Sequence, residues 1–213
     1  MGRLDRIADE LQGRCLGRKP VGSVSPRELR AMELRGMAVE FPEVHGHPNR
    51  LPFEGVLTLV DVASDKAPSG ARGHRVVLTR EAAEAAMPSL LGMAVDYKAG
   101  WDGHDARQKC GIITGAELDG RRLAVSGFLF ARDFPEMAGR LEAEGSNAGV
   151  MGMSYELADA HVADMRAQVW TLTRATFTGA AILLREKAAY RATSFRLSPL
   201  KQGLVGRRVA RAV

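Results

Sequence analysis

The chain has 213 residues, of which 46% are hydrophobic, enough to fill the core of one domain with appendages. No apolar run approaches the roughly 20 residues of a membrane helix, and the start, Met1-Gly2-Arg3-Leu4-Asp5-Arg6, has no apolar leader core behind it, so a protein of the cytoplasm without a membrane partner is expected. The net charge of +5 is concentrated at one end: residues 185–213 hold eight Lys/Arg against Glu186 alone, which leaves residues 51–184 net acidic.

Residues 1–50 read as a peripheral arm. Leu4, Ile7, Ala8 and Leu11 have helical spacing, and Ser25-Pro26-Arg27-Glu28 is a helix start with serine as N-cap and proline in the first turn. Two short helices or a partly disordered arm are expected. His45 and His47 sit among turn residues with no third ligand close by, so a solvated loop is expected there and no metal. Cys15 and Cys110 fall in segments of different character, which argues for reduced thiols and no disulfide. No cofactor is expected.

The regular domain is expected over residues 51–192. The run from Glu54 to Val62 is rich in β-branched and aliphatic residues and reads as a strand, and Arg75–Leu78 as a second one. Thr79 then caps a helix that Pro88 ends. Leu90 to Tyr97 leads into the turn-rich Gly100-Trp101-Asp102-Gly103-His104-Asp105, and two strand-like runs follow, joined across Asp119-Gly120, a hairpin signal. The loop that carries His104 therefore feeds a sheet.

Asp133-Phe134-Pro135-Glu136 opens a second helix, and a short apolar strand carrying Gly152-Met153-Ser154 comes next. A return strand runs from Gln168 to Ala181, and a last helix is expected from Leu183 to about Arg191. Residues 193–213 read as a basic, flexible tail. With few aromatics among its charges, specific nucleic-acid recognition is not expected of it.

Ser154 is the candidate nucleophile. A serine hydroxyl needs a base within hydrogen-bond reach, and the best candidate is His104, fifty residues upstream in the loop that enters the sheet. In this order the chain resembles the prohead maturation proteases of tailed bacteriophages, relatives of the herpesvirus assemblins. The resemblance lies in His104 ahead of Cys110-Gly111-Ile112-Ile113, then Gly152-Met153-Ser154, then Thr176-Phe177-Thr178-Gly179-Ala180-Ala181, and covers about residues 53–190.

The resemblance implies an α+β fold with a mainly antiparallel, barrel-like sheet core and surrounding helices. It implies a serine endopeptidase that cleaves scaffold or major capsid protein segments inside assembling proheads in the host cytoplasm, possible as a homo-oligomer. Ser154 would attack the scissile carbonyl while His104 takes its proton, with Arg174 as a candidate helper at the oxyanion. The family's orienting histidine or acid on the return strand has no counterpart here. Thr176, Asp159, His161, Asp164, Asp102 and Asp105 are the candidates for that place, and the alternative function is a non-catalytic capsid-assembly protein on the same fold.

Overall fold

The computed structural model describes residues 36–42, 44, 46–144 and 149–198. The helices expected before residue 35 and the tail beyond residue 198 lie outside the described residues.

The expected hairpin forms strands β5 (Lys109–Asp119) and β6 (Arg122–Leu129), with Asp119 opposite Arg122. The central residues of the turn are Gly120 and Arg121, and only Gly120 has a positive φ, 56°. Glycine in the first central position is the type II′ pattern, whose twist suits the strands it joins. Around this hairpin lie β1 (Gly36–Ala38), β2 (Leu51–Leu59), β3 (Arg75–Leu78), β4 (Ala94–Tyr97), β7 (Met151–Val162), β8 (Val169–Leu184) and β9 (Ser194–Leu197). The strand order is β3-β8-β4-β5-β6-β2-β9, with β1 added to β5 and β7 added to β8.

Two α-helices are present among the described residues, α1 (Arg80–Ala86) and α2 (Pro135–Glu144). The Thr79 hydroxyl accepts from Ala82 N at 3.2 Å and caps α1, which passes at Met87, still helical at φ −53° and ψ −37°, into a 3-10 turn over Met87–Leu90, where Pro88 has no amide hydrogen to continue the α-helical bonding.

The pairings are antiparallel except where β3 and β4 lie parallel to β8. The core is therefore a curled mixed sheet with few helices, in agreement with the α+β, barrel-like expectation at that coarser level. The curl brings β7 over β2 and β9. A Cβ on Gly55 of β2 would lie 2.8 Å from Met153 Sδ of β7 and 2.4 Å from the Ser194 carbonyl of β9, so a side chain there would force this seam open. Phe53, Leu57, Ile113, Leu123, Leu129, Met153 and Phe177 are fully buried inside the curl. Each contributes about 1.5–3 kcal/mol through the apolar area it removes from water.

Two expectations near the C-terminal end are corrected. No helix covers Leu183–Arg191: β8 runs on to Leu184, whose amide donates to the Trp101 carbonyl at 2.8 Å, while Arg185 N donates to Val150 O at 2.8 Å. Those sheet-like bonds hold Leu184 and Arg185 in extended register with distant parts of the chain, and only turn bonds, Lys187 N to Leu184 O and Ala188 N to Arg185 O, follow. Ser194–Leu197, read as tail, pairs with β2, and Phe195 stacks on Phe53 at 5.3 Å between ring centroids. One buried aromatic ring outweighs the basic residues around it. Likewise Gly36–Ala38, read as part of the arm, pairs with β5.

Candidate active site

Strands β7, β8 and β4 lie side by side, and their registers put Ser154, Ala181 and Asp96 in one row. Residues in register across neighbouring strands point to the same face, so the serine and the aspartate share a face two strands apart, about 10 Å between backbones. The next position on β7 that points this way is Glu156, opposite Gly179. Met153 and Tyr155, which alternate with them, point into the core. The small side of β8 matters here. A Cβ on Gly179 would sit 2.7 Å from Glu156 Oε2, so glycine and alanine leave a trough between the two outer strands.

His104 fills that trough from the loop after β4. The loop is pinned on both sides of the histidine. Trp101 is 2% exposed, packs on Tyr97 at 5.2 Å and lies under the Arg140 guanidinium at 5.5 Å. Its φ of 54° is rare for a bulky residue, and conformations of that kind cost about 1–3 kcal/mol, a cost this packing offsets. On the other side Asp105 grips Arg107 through two side-chain bonds of 3.0 Å, and the Arg107 guanidinium, helped by its backbone amide, holds the Asp105 pKa down at about 2.

The imidazole meets two carboxylates. Nδ1 lies 3.4 Å from Asp96 Oδ1 and 3.7 Å from Glu156 Oε1, while the other Asp96 oxygen accepts from Lys109 Nζ at 2.8 Å. The Asp96 side chain is 1% exposed and that of Glu156 49%, so the first contact is dry and the second wet. Burial pushes the Asp96 pKa up, but His104 and Lys109 outweigh it together and leave the carboxyl below its ordinary value. Asp96 is a buried anion between the Lys109 ammonium and the His104 ring. Its contact with the ring lacks hydrogen-bond alignment: Asp96 Oδ1 and both His104 nitrogens are buried without a hydrogen-bond partner. The half-buried Ser154 hydroxyl therefore does not bond the ring.

Of the residues singled out from sequence, Ser154 and His104 reach the same face. The six candidates for the third place do not join them. His161 Nδ1 lies 2.9 Å from Thr173 Oγ1, Asp164 accepts from Arg166 N, and Asp102 pairs with Lys98 at 3.1 Å. Asp105 is held by Arg107, while Asp159 and Thr176 are exposed farther along the β7–β8 pair. Arg174 sits opposite His161, seven residues from Ala181, or about 23 Å along an extended strand. It is too distant to help at an oxyanion on Ser154. The residue that sequence reasoning missed is Asp96. Its signal was a lone carboxylate inside the apolar strand Ala94-Val95-Asp96-Tyr97, where an unpaired charge would be costly. Among the described residues, no group of three or more His, Cys, Asp or Glu side chains is arranged to hold a metal ion.

The chain is similar to a solved viral protease. That structure is the KSHV protease in complex with a hexapeptide phosphonate inhibitor, at 13% identity and a TM-score of 0.43. The similarity covers 68% of this chain and 64% of that one, so less than two thirds of the solved chain is spanned. No family model and no curated protein matches the chain.

Proposed function

We propose that this protein is a serine endopeptidase with Ser154 as nucleophile, His104 as general base and Asp96 as the carboxylate that holds the imidazole. In this reading Ser154 Oγ attacks the scissile carbonyl carbon and His104 accepts the hydroxyl proton. The proton then goes to the leaving amine as the C–N bond breaks, and an attacking water, deprotonated by the same ring, releases the acyl group and restores the serine. Asp96 would stabilise the imidazolium that exists between these transfers. Its own lowered pKa keeps it ionised for that role.

The observation that carries the proposal is the contact of the His104 ring with a buried carboxylate, on the face and in the row that also hold Ser154. The orienting acid then comes from β4, on the far side of β8 from the serine strand, rather than from the return strand itself. The substrates proposed are scaffold or major capsid protein segments of a tailed phage, cleaved inside assembling proheads in the host cytoplasm. This biological setting rests on the sequence motifs alone.

A second reading, a non-catalytic capsid-assembly component on this fold, draws on the missing hydrogen bond between Ser154 and the ring. A fluorophosphonate probe separates the two, because it labels only a serine whose proton can be removed. Covalent labelling of the parent that vanishes in Ser154→Ala and His104→Ala is expected. An unlabelled parent, or labelling that persists in Ser154→Ala, sinks the peptidase proposal.

A further inference from the structure

At the end of the β7–β8 pair nearest the Ser154 row, a cleft gathers four cationic side chains, Lys66, Arg185, Lys187 and Arg191, against one acid, Glu186. Their backbones are fixed. Arg185 N donates to Val150 O, Arg191 N donates to Asp65 Oδ2 at 2.7 Å, and Lys66 donates to the Glu186 carbonyl. The Glu186 carboxylate is spent on Lys187 at 3.7 Å and that of Asp65 on the Arg191 backbone amide, and among the described residues no carboxylate pairs with the guanidinium of Arg185 or Arg191. Like charges gathered in a concave site repel one another until an anion arrives, and guanidinium groups suit a carboxylate in particular.

The cleft borders the candidate active site. Val150, on its wall, precedes Ser154 by four residues, about 13 Å at 3.3 Å per residue. Leu184, also on its wall, is bonded to Trp101 of the His104 loop. Lys187 helps Lys98 keep the Asp102 carboxyl of that loop below its ordinary pKa. An extended polypeptide lying across Ser154 would therefore reach the cleft about four residues from the reacting bond.

We infer that this cleft is a subsite for an acidic side chain, so that the polypeptides taken across Ser154 carry glutamate or aspartate about four residues from the serine. The inference rests on the peptidase reading above and adds the substrate class. It also selects against one substrate close at hand. Residues 199–213 carry Lys201, Arg207, Arg208 and Arg211 and no acid, so the cleft repels the chain's own C-terminal segment.

The test measures binding without turnover, by fluorescence anisotropy on full-length Ser154→Ala protein. The probes are a short labelled peptide rich in glutamate, its glutamine counterpart, and a labelled single-stranded oligonucleotide. At low ionic strength the glutamate peptide should bind at least about tenfold more tightly than the glutamine one, and Arg185→Gln/Arg191→Gln should abolish the difference. Should Arg185→Gln disturb the adjoining Gly149 turn, Lys187→Gln/Arg191→Gln changes only exposed side chains and must give the same loss. Equal affinity for the two peptides, or a preference that survives both double variants, overturns the inference. Loss of oligonucleotide binding alone in those variants assigns the cleft to phosphate and overturns it as well. A glutamate preference beside a parent that the fluorophosphonate probe fails to label refutes the peptidase reading and leaves the cleft standing as a binding site for acidic peptide. Labelling without the preference does the reverse.

Discussion

Asp96 is the residue on which the proposed chemistry and local stability meet. Its carboxylate is buried, touches His104 and bonds Lys109, and its pKa is lower folded than the ordinary 3.8. A carboxyl with a depressed folded pKa binds fewer protons folded than unfolded. Its contribution to stability is then fully present above about pH 4 and is lost as pH falls through the folded value. Asp96→Asn should lower stability at neutral pH by about 1–3 kcal/mol, since it removes the charge-assisted bond that the half-exposed Lys109 makes to a buried carboxylate. The gap in melting temperature between parent and variant should close on acidification below pH 4, and a gap that is constant with pH would show that the charge is not what stabilises. In the proposed mechanism the same change should slow fluorophosphonate labelling by up to about 10⁴-fold, the loss known when an orienting aspartate becomes an amide. Asp96 was hard to find in the sequence because its partners lie 8 and 13 residues on, beyond a turn and a β-bulge. A charged residue in an apolar strand signals a buried pair but does not name the partner.

At the level of elements, alternation and turn chemistry were enough for most strands. The β5–β6 hairpin, the Thr79 cap and the strand bearing Ser154 all follow from local residues. The segment after Ala181 did not, because an apolar run with alanines and a lysine suits helix and strand about equally, and the choice was made by the partners Trp101 and Val150 from distant parts of the chain. The barrel-like seam is likewise a tertiary fact, and Gly55 is its test. A methyl group there would meet the Ser194 carbonyl and Met153 Sδ inside van der Waals contact. The sulfur can swing away but the backbone carbonyl cannot, so Gly55→Ala should part β2 from β9 at a cost of about 1–3 kcal/mol. A melting temperature within a degree of the parent's would mean the seam is looser than described. At Gly179, by contrast, the atom in the way is the far end of the Glu156 side chain, which can move.

Across the whole molecule, the face that carries Ser154 and His104 is assembled from strands far apart in sequence, and the last of them, β9, helps to close the curl beneath it. Phe195 is 5% exposed and stacks on Phe53, itself 1% exposed, while the β9 backbone pairs with β2 from Phe53 to Val56. Arg196 adds bonds to Glu54 of 2.6 and 2.5 Å, though both side chains are solvent-facing and such pairs contribute little. The stability of this edge is therefore apolar. Removing an aromatic side chain of this kind from a core costs about 3–5 kcal/mol, a large share of the 5–15 kcal/mol that holds a domain together. Truncation after Thr193 removes β9 along with everything beyond it, whereas truncation after Ser198 keeps every β9 contact. The two truncations should differ in unfolding free energy by at least about 3 kcal/mol, read from urea melts of both proteins beside the full-length chain. If the shorter protein unfolds at the same urea concentration as the longer one, Phe195 does not belong to the core, and the curl that brings β7 over β2 must be held by Met153 and its neighbours alone.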